Sequence, residues 1–127
     1  MKEVFADTFS FLALLNQRDA AHDRAIAASR SHGLVLVTTD FVLMELADAL
    51  CKPGQREEVF GLWNVVQTHP TFRVMPANRE WIERGKKLYL ERPDKEWQLT
   101  DCISFVVMRD QGLSEALTGD SWLHTRT

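Results

Sequence analysis

Four acidic residues, far apart in the chain, stand where a carboxylate does more than solvate a surface. Asp7 closes the apolar run Val4-Phe5-Ala6 and leads into Thr8-Phe9-Ser10-Phe11-Leu12. Glu45 shares a helical stripe with Phe41, Val42 and Ala49, since a helix turning about 100° per residue puts all three within about 60° of it. Asp101 directly follows Thr100, a capping type, with Phe105 and Met108 on its face and Ser104 close by. Asp120 follows Ala116-Leu117-Thr118 across Gly119. Singly, each has a plain explanation: a helix cap for Asp7, a snorkelling edge residue for Glu45, a helix-dipole partner for Asp101, a turn for Asp120. Their joint placement asks for another. Two unit charges about 4 Å apart repel by about 4 kcal/mol at an effective dielectric of 20, so four carboxylates that meet need cations or protons. Hard divalent ions with oxygen ligands answer that need, and Mg²⁺ or Mn²⁺ suits carboxylates and water.

Whether the acids meet depends on the elements that carry them. Val4-Phe5-Ala6 reads as a strand buried on both faces, followed by a helix to Leu15 that Thr8 or Ser10 can cap. An Ala-rich helix from Ala20 to about Arg30 stops at Gly33. Leu34-Val35-Leu36-Val37-Thr38 is the clearest strand, with Asp40 capping a helix from Phe41 to about Cys51. A helix from about Gln55 to Thr68 carries Val59, Leu62, Trp63 and Val66, a stripe expected in the core or a dimer surface. Phe72-Arg73-Val74-Met75 is a short strand, and Asn78 caps a helix from Arg79 to about Leu90. A loop over 92–97 precedes a helix that Thr100 opens and Gly112 stops after Gln111. Ala116-Leu117-Thr118 is a brief strand, and Ser121 to Thr127 show no clear pattern. Strands alternating with helices predict a parallel sheet with helices on both faces. In such a sheet the C-terminal strand ends and the following helix starts share one edge, where sites form. Asp7, Glu45, Asp101 and Asp120 are all expected there.

The 127 residues form one expected domain, 1–127, with 45% hydrophobic and 26% charged residues. A net charge of −3 does not advertise nucleic-acid binding, though it hides clustering. Cys51 and Cys102 form no CxxC pair and are expected as reduced core thiols. The four His lack zinc spacing. No run approaches the ~18 apolar residues of a membrane span, and Asp7 interrupts any early leader-like run, so a cytoplasmic location is expected.

In Asp7-Thr8-Phe9-Ser10-Phe11-Leu12, Met44-Glu45-Leu46, Leu99-Thr100-Asp101-Cys102-Ile103-Ser104-Phe105 and Leu117-Thr118-Gly119-Asp120, the chain resembles the PIN-domain family and, within it, the VapC-like toxin ribonucleases. The order and approximate separations agree over nearly the whole chain. The resemblance implies a PIN-like α/β/α sandwich around a central parallel sheet of four to five strands. It implies that Asp7, Glu45, Asp101 and Asp120 are the catalytic, metal-binding acids, with Thr8, Ser104 and Thr118 as supporting hydroxyls. It further implies Mg²⁺- or Mn²⁺-dependent cleavage of RNA to a 5′-phosphate and a 3′-hydroxyl, a homodimer, and an antitoxin partner that silences the toxin. The chain departs from relatives in ending soon after its last acid, which leaves either a short squeezed strand or an abbreviated sheet edge.

On this reading Asp7 and Asp101 ligate the principal ion, while Glu45 and Asp120 ligate directly or through water, and either can orient the attacking water. Arg18, Lys52, Lys95 and Arg109 are candidate phosphate contacts. Trp97 either stacks on a base or seats its loop against the core. The alternative function is a catalytically silent interaction module with the same fold. A haloacid-dehalogenase-like phosphatase needs a second Asp where this chain has Phe9, and a receiver domain needs a Lys after a late strand, which is missing after Ala116-Leu117-Thr118.

Overall fold

The computed structural model describes residues 1–117 and, as backbone, 122–124. Its strands are β1 (Lys2–Ala6), β2 (Leu34–Thr39), β3 (Phe72–Met75), β4 (Glu115–Leu117) and β5 (Trp122–His124). Its helices are α1 (Thr8–Leu15), α2 (His22–Ser29), α3 (Asp40–Ala49), α4 (Arg56–Thr68), α5 (Arg79–Glu91) and α6 (Leu99–Asp110). One sheet runs β3-β2-β1-β4-β5. The first four strands are parallel, with Val4 opposite Leu36, Thr38 opposite Val74 and Ala6 opposite Leu117. β5 pairs antiparallel with β4. This is the expected sheet of four parallel strands, closed by a short fifth; the C-terminal end is a squeezed strand rather than a missing edge.

The apolar runs become strands because both of their faces are covered. Val4, Phe5, Ala6, Leu36 and Val37 are each at most 1% exposed, and helix residues Phe11, Leu43, Leu46, Val59, Val66 and Val107 pack into the same core. Right-handed crossovers put the helices of the first two connections on one face and those of the β3–β4 connection on the other, giving three layers. α5 and α6 pack tightly because Gly85 lies against Ile103; a Cβ at Gly85 would overlap the Ile103 side chain. Gly112 ends α6 with φ +68°, the left-handed position that glycine takes without strain.

Several local expectations are corrected. Thr39, not Asp40, caps α3: its Oγ1 accepts from the Val42 N–H at 3.1 Å, while Asp40 accepts from the Ala77 N–H at 2.9 Å. Asp7 itself caps α1, displacing Thr8 and Ser10 from that role. Gln98 rather than Thr100 stands at the start of α6. Cys102 is buried as expected, but Cys51 is exposed, because α3 ends at Ala49 before reaching it. The α4 stripe faces the core: Val59 and Val66 are buried, and Leu62 and Trp63 are half-buried against it. Among the described residues no helix is long and apolar enough to cross a membrane.

Candidate active site

The strand order reverses direction at β1, which lies between β2 and β4. The crevice outside the C-terminal ends of β1 and β4 is therefore the topological switch point, where open α/β sheets bind ligands. Asp7 is the first residue past β1, and its backbone N–H reaches the Leu117 carbonyl at the end of β4 at 3.5 Å.

Four bonds fix this turn from strand to helix. Thr38 Oγ1 donates to the Ala6 carbonyl at 2.9 Å, and Ser10 Oγ donates to the Asp7 carbonyl at 2.9 Å. The Ser10 N–H donates to Asp7 Oδ1 at 3.1 Å, the capping bond of α1. The Phe11 N–H reaches the Asp7 carbonyl at 3.4 Å. Asp7 is thus a helix cap, but capping does not account for its electrostatics. Its pKa is pushed up from 3.8 to about 6. Burial is the largest cause; the N–H groups of Ser10 and Phe9 oppose it, and the charges of Asp101 and Glu45 add to it. A carboxylate placed only to cap a helix has no reason to be buried within the field of two others.

Glu45 projects from the middle of α3, half-buried beside buried Val42 and Leu46. The Thr8 hydroxyl donates a short hydrogen bond to Glu45 Oε1, joining α1 to α3 directly beside Asp7. Thr8 is buried, so the bond fixes where the Glu45 carboxylate points. Asp101, in the first turn of α6, is also half-buried. Its Oδ2 accepts from the Gln98 N–H at 3.0 Å, and the Gln98 side chain answers by accepting from the Asp101 N–H, a reciprocal capping box.

Asp7 therefore lies within the field of two of the other three predicted acids, Asp101 and Glu45. Asp120 and Thr118 lie outside the described residues. Among the described residues, no group of three or more His, Cys, Asp or Glu side chains is gathered closely enough to hold a metal ion. The chemistry of the donor set still fits a hard divalent cation: all the donors are oxygens, and one carboxylate bears a charge that burial and two like charges oppose. Ser104 is buried in α6, but among the described residues its hydroxyl makes no hydrogen bond to any of the acids.

The basic candidates separate. Arg18 lines a groove of about 1130 Å³ built from the α1–α2 connection, α2 and α4. Lys52 is exposed in the turn after α3. Arg109 is in the last turn of α6, about 12 Å of helix rise from Asp101. Only Lys95 lies next to the first turn of α6. Reading the sequence for acids missed the residues that hold the turn. Thr38 and Ser10 could have been found as hydroxyls inside otherwise apolar elements, and Gln98 from the Gln-x-x-Asp spacing.

No family model matches the sequence. The chain is 28% identical over 120 residues to the 23S rRNA-specific endonuclease VapC20 of Mycobacterium tuberculosis, from both strain CDC 1551 / Oshkosh and strain H37Rv. The match spans 92% of this chain and 88% of the relative. The crystal structure of M. tuberculosis VapC20, described as a sarcin–ricin loop cleaving toxin, superposes with a TM-score of 0.80 at 25% identity, covering 98% of this chain and 99% of that one. VapBC2 of Rickettsia felis, solved with a DNA fragment from its promoter, superposes with a TM-score of 0.60 at 10% identity over 88% of this chain and 84% of that one, a likeness of fold. A parallel sheet that reverses at β1, a half-buried acid at that reversal within the field of two more, and similarity to VapC20 in sequence and fold agree with one another: the chain is similar to the VapC-like side of the PIN-domain family.

Proposed function

We propose that this protein is a metal-dependent endoribonuclease, the toxin of a type II toxin–antitoxin pair, and that its substrate is large-subunit ribosomal RNA at the sarcin–ricin loop. The observation that carries the reading is Asp7: a carboxylate at the switch point, pushed up to about 6 by burial and by the neighbouring Asp101 and Glu45. Such a group is costly as an isolated anion and useful as a cation ligand. The substrate follows the printed activity of VapC20, which this chain matches over nearly its whole length.

Bound Mg²⁺ or Mn²⁺ supplies charge that acidifies a water and neutralises the leaving oxygen of a phosphodiester. Asp7 and Asp101 would hold the ion, with Asp120 as a further ligand. Glu45, its carboxylate steered by the Thr8 hydroxyl, orients the attacking water and accepts its proton. The capping bonds to Asp7 and Asp101 keep both carboxylates from rotating away as RNA enters. Ser104 and Thr118 supply further hydroxyls. The homodimer, the antitoxin partner and the cytoplasmic location belong to the same reading and rest on the family resemblance.

The test is incubation of purified protein with ribosomes and with total RNA, with Mn²⁺ or with a chelator, and mapping of the new ends. The reading expects one dominant cut in the sarcin–ricin loop, a 5′-phosphate at the new end, and no cut with chelator. Cleavage that survives chelation rules out the metal dependence, and a wild-type protein that cuts no RNA rules out the ribonuclease in favour of the silent interaction module.

A further inference from the structure

The loop between α5 and α6 gathers aromatic and cationic side chains immediately before the helix that carries Asp101. A cavity of about 480 Å³ opens there, lined among others by Tyr89, Lys95, Trp97, Gln98 and, at its floor, buried Cys102. It adjoins the acidic edge: Gln98 lines it and donates its N–H to Asp101 Oδ2, and Cys102 is the next residue in the chain. Trp97 and Phe105 meet edge to face with ring centroids 4.9 Å apart, which seats the loop on α6. The Arg92 guanidinium lies 5.4 Å and the Lys95 ammonium 5.8 Å from the ring centroid.

The two cations have different partners. Arg92 binds Asp94 through two bonds of 3.0 and 2.9 Å, so it shapes the loop. Lys95 makes no salt bridge among the described residues, and its charge stands over the ring at the cavity mouth. Beside it Tyr89 is 50% and Leu90 74% exposed, an apolar and aromatic surface left to solvent. An exposed aromatic surface that can accept an unstacked base, beside a cation that can meet a phosphate, suits single-stranded nucleic acid. Asp94 and Glu96 in the same loop offset the two cations, so the site is suited to stacking first and phosphate attraction second.

We propose that Trp97, with Lys95 beside it, is an RNA subsite that stacks an unpaired base next to the scissile phosphate and so selects which bond reaches Asp101. This inference rests on the ribonuclease reading, and it makes Trp97 a specificity-determining residue rather than a catalytic one. The test is the affinity of a fluorescent RNA hairpin with an unpaired loop, measured by anisotropy without divalent metal, for wild type, Trp97→Phe, Trp97→Leu and Lys95→Gln. Melting curves run alongside check that each variant folds. Loss of one stacked base weakens binding about 5- to 150-fold, so Trp97→Leu is expected in that range and Trp97→Phe within about threefold of wild type. Lys95→Gln, an exposed change, is expected to lower the slope of log affinity against log salt by about 0.7. Equal affinity of wild type and Trp97→Leu, equal losses in the Leu and Phe variants, an unchanged salt slope, or no RNA binding by the wild type overturns the proposal. Cleavage by the wild type in Mn²⁺, run in parallel, separates the two readings. Cleavage with unchanged Trp97→Leu affinity removes the subsite alone, whereas absence of cleavage removes the ribonuclease.

Discussion

Replacing Asp7 by Asn separates two roles that the structure gives to one side chain. Asn caps helices about as well as Asp, so the bond from the Ser10 N–H to Oδ1 survives while the charge is removed. The folded pKa of Asp7 is about 6 against 3.8 for the free group. Between those values the native state holds a proton that the unfolded chain has released, so stability falls as pH rises through this window. The difference corresponds to about 3 kcal/mol, fully present as a penalty above pH 6 and absent below about pH 4. Asp7→Asn is therefore expected to be more stable than wild type by about 3 kcal/mol at pH 8 without divalent metal, and nearly equal to it at pH 4. For a chain of this length that is a rise in Tm of about 10 °C at pH 8. The assay is urea unfolding followed by far-UV circular dichroism at pH 4, 6 and 8, with chelator present. A variant equal to or less stable than wild type at pH 8 would refute the argument that burial and the charges of Asp101 and Glu45 oppose the Asp7 anion.

Millimolar Mn²⁺ or Mg²⁺ is expected to raise the Tm of wild type at pH 8 by ligand linkage, with the rise blunted in Asp101→Asn; a calorimetric scan that shows no metal-dependent shift in either counts against the ion site. Thr8→Val removes the hydroxyl that steers Glu45, and RNA cleavage is expected to fall about 10- to 100-fold with the fold retained, checked by single-turnover rates beside a melting curve. Gly85→Ala places a methyl group against the Ile103 side chain and is expected to destabilise by about 1–3 kcal/mol, measured by urea unfolding.

The sheet was legible because strands covered on both faces keep continuous apolar runs, as in Val4-Phe5-Ala6 and Leu34-Val35-Leu36-Val37. That Asp7 lies within the field of Glu45 and Asp101 was legible in outline, because a parallel sheet puts every strand's C-terminal end on the same side. Caps were less so. Thr38-Thr39-Asp40 offers three capping types in a row, and only the extra residue of β2 decides that Thr39 caps while Asp40 turns to Ala77. Gln98 is a weak capper by type, and its role depends on the reciprocal bond from Asp101. Cys51 was misplaced because an apolar pattern does not reveal that a helix has stopped two residues earlier. The basic residues carried the weakest signal: position in sequence does not say which end of a helix faces the site, and Arg109 proved to be at the far end of α6.

The claim that matters most is that Asp7, Glu45 and Asp101 work as one ion-dependent unit. It is tested by measuring Mn²⁺ affinity and single-turnover RNA cleavage for Asp7→Asn, Glu45→Gln and Asp101→Asn side by side with wild type. The account predicts that all three remain folded, that Asp7→Asn and Asp101→Asn weaken Mn²⁺ binding by tenfold or more, and that each variant loses at least about 100-fold in cleavage, since removing one positioned electrostatic group costs on that order. Wild-type cleavage rates retained in any one of the three would contradict it.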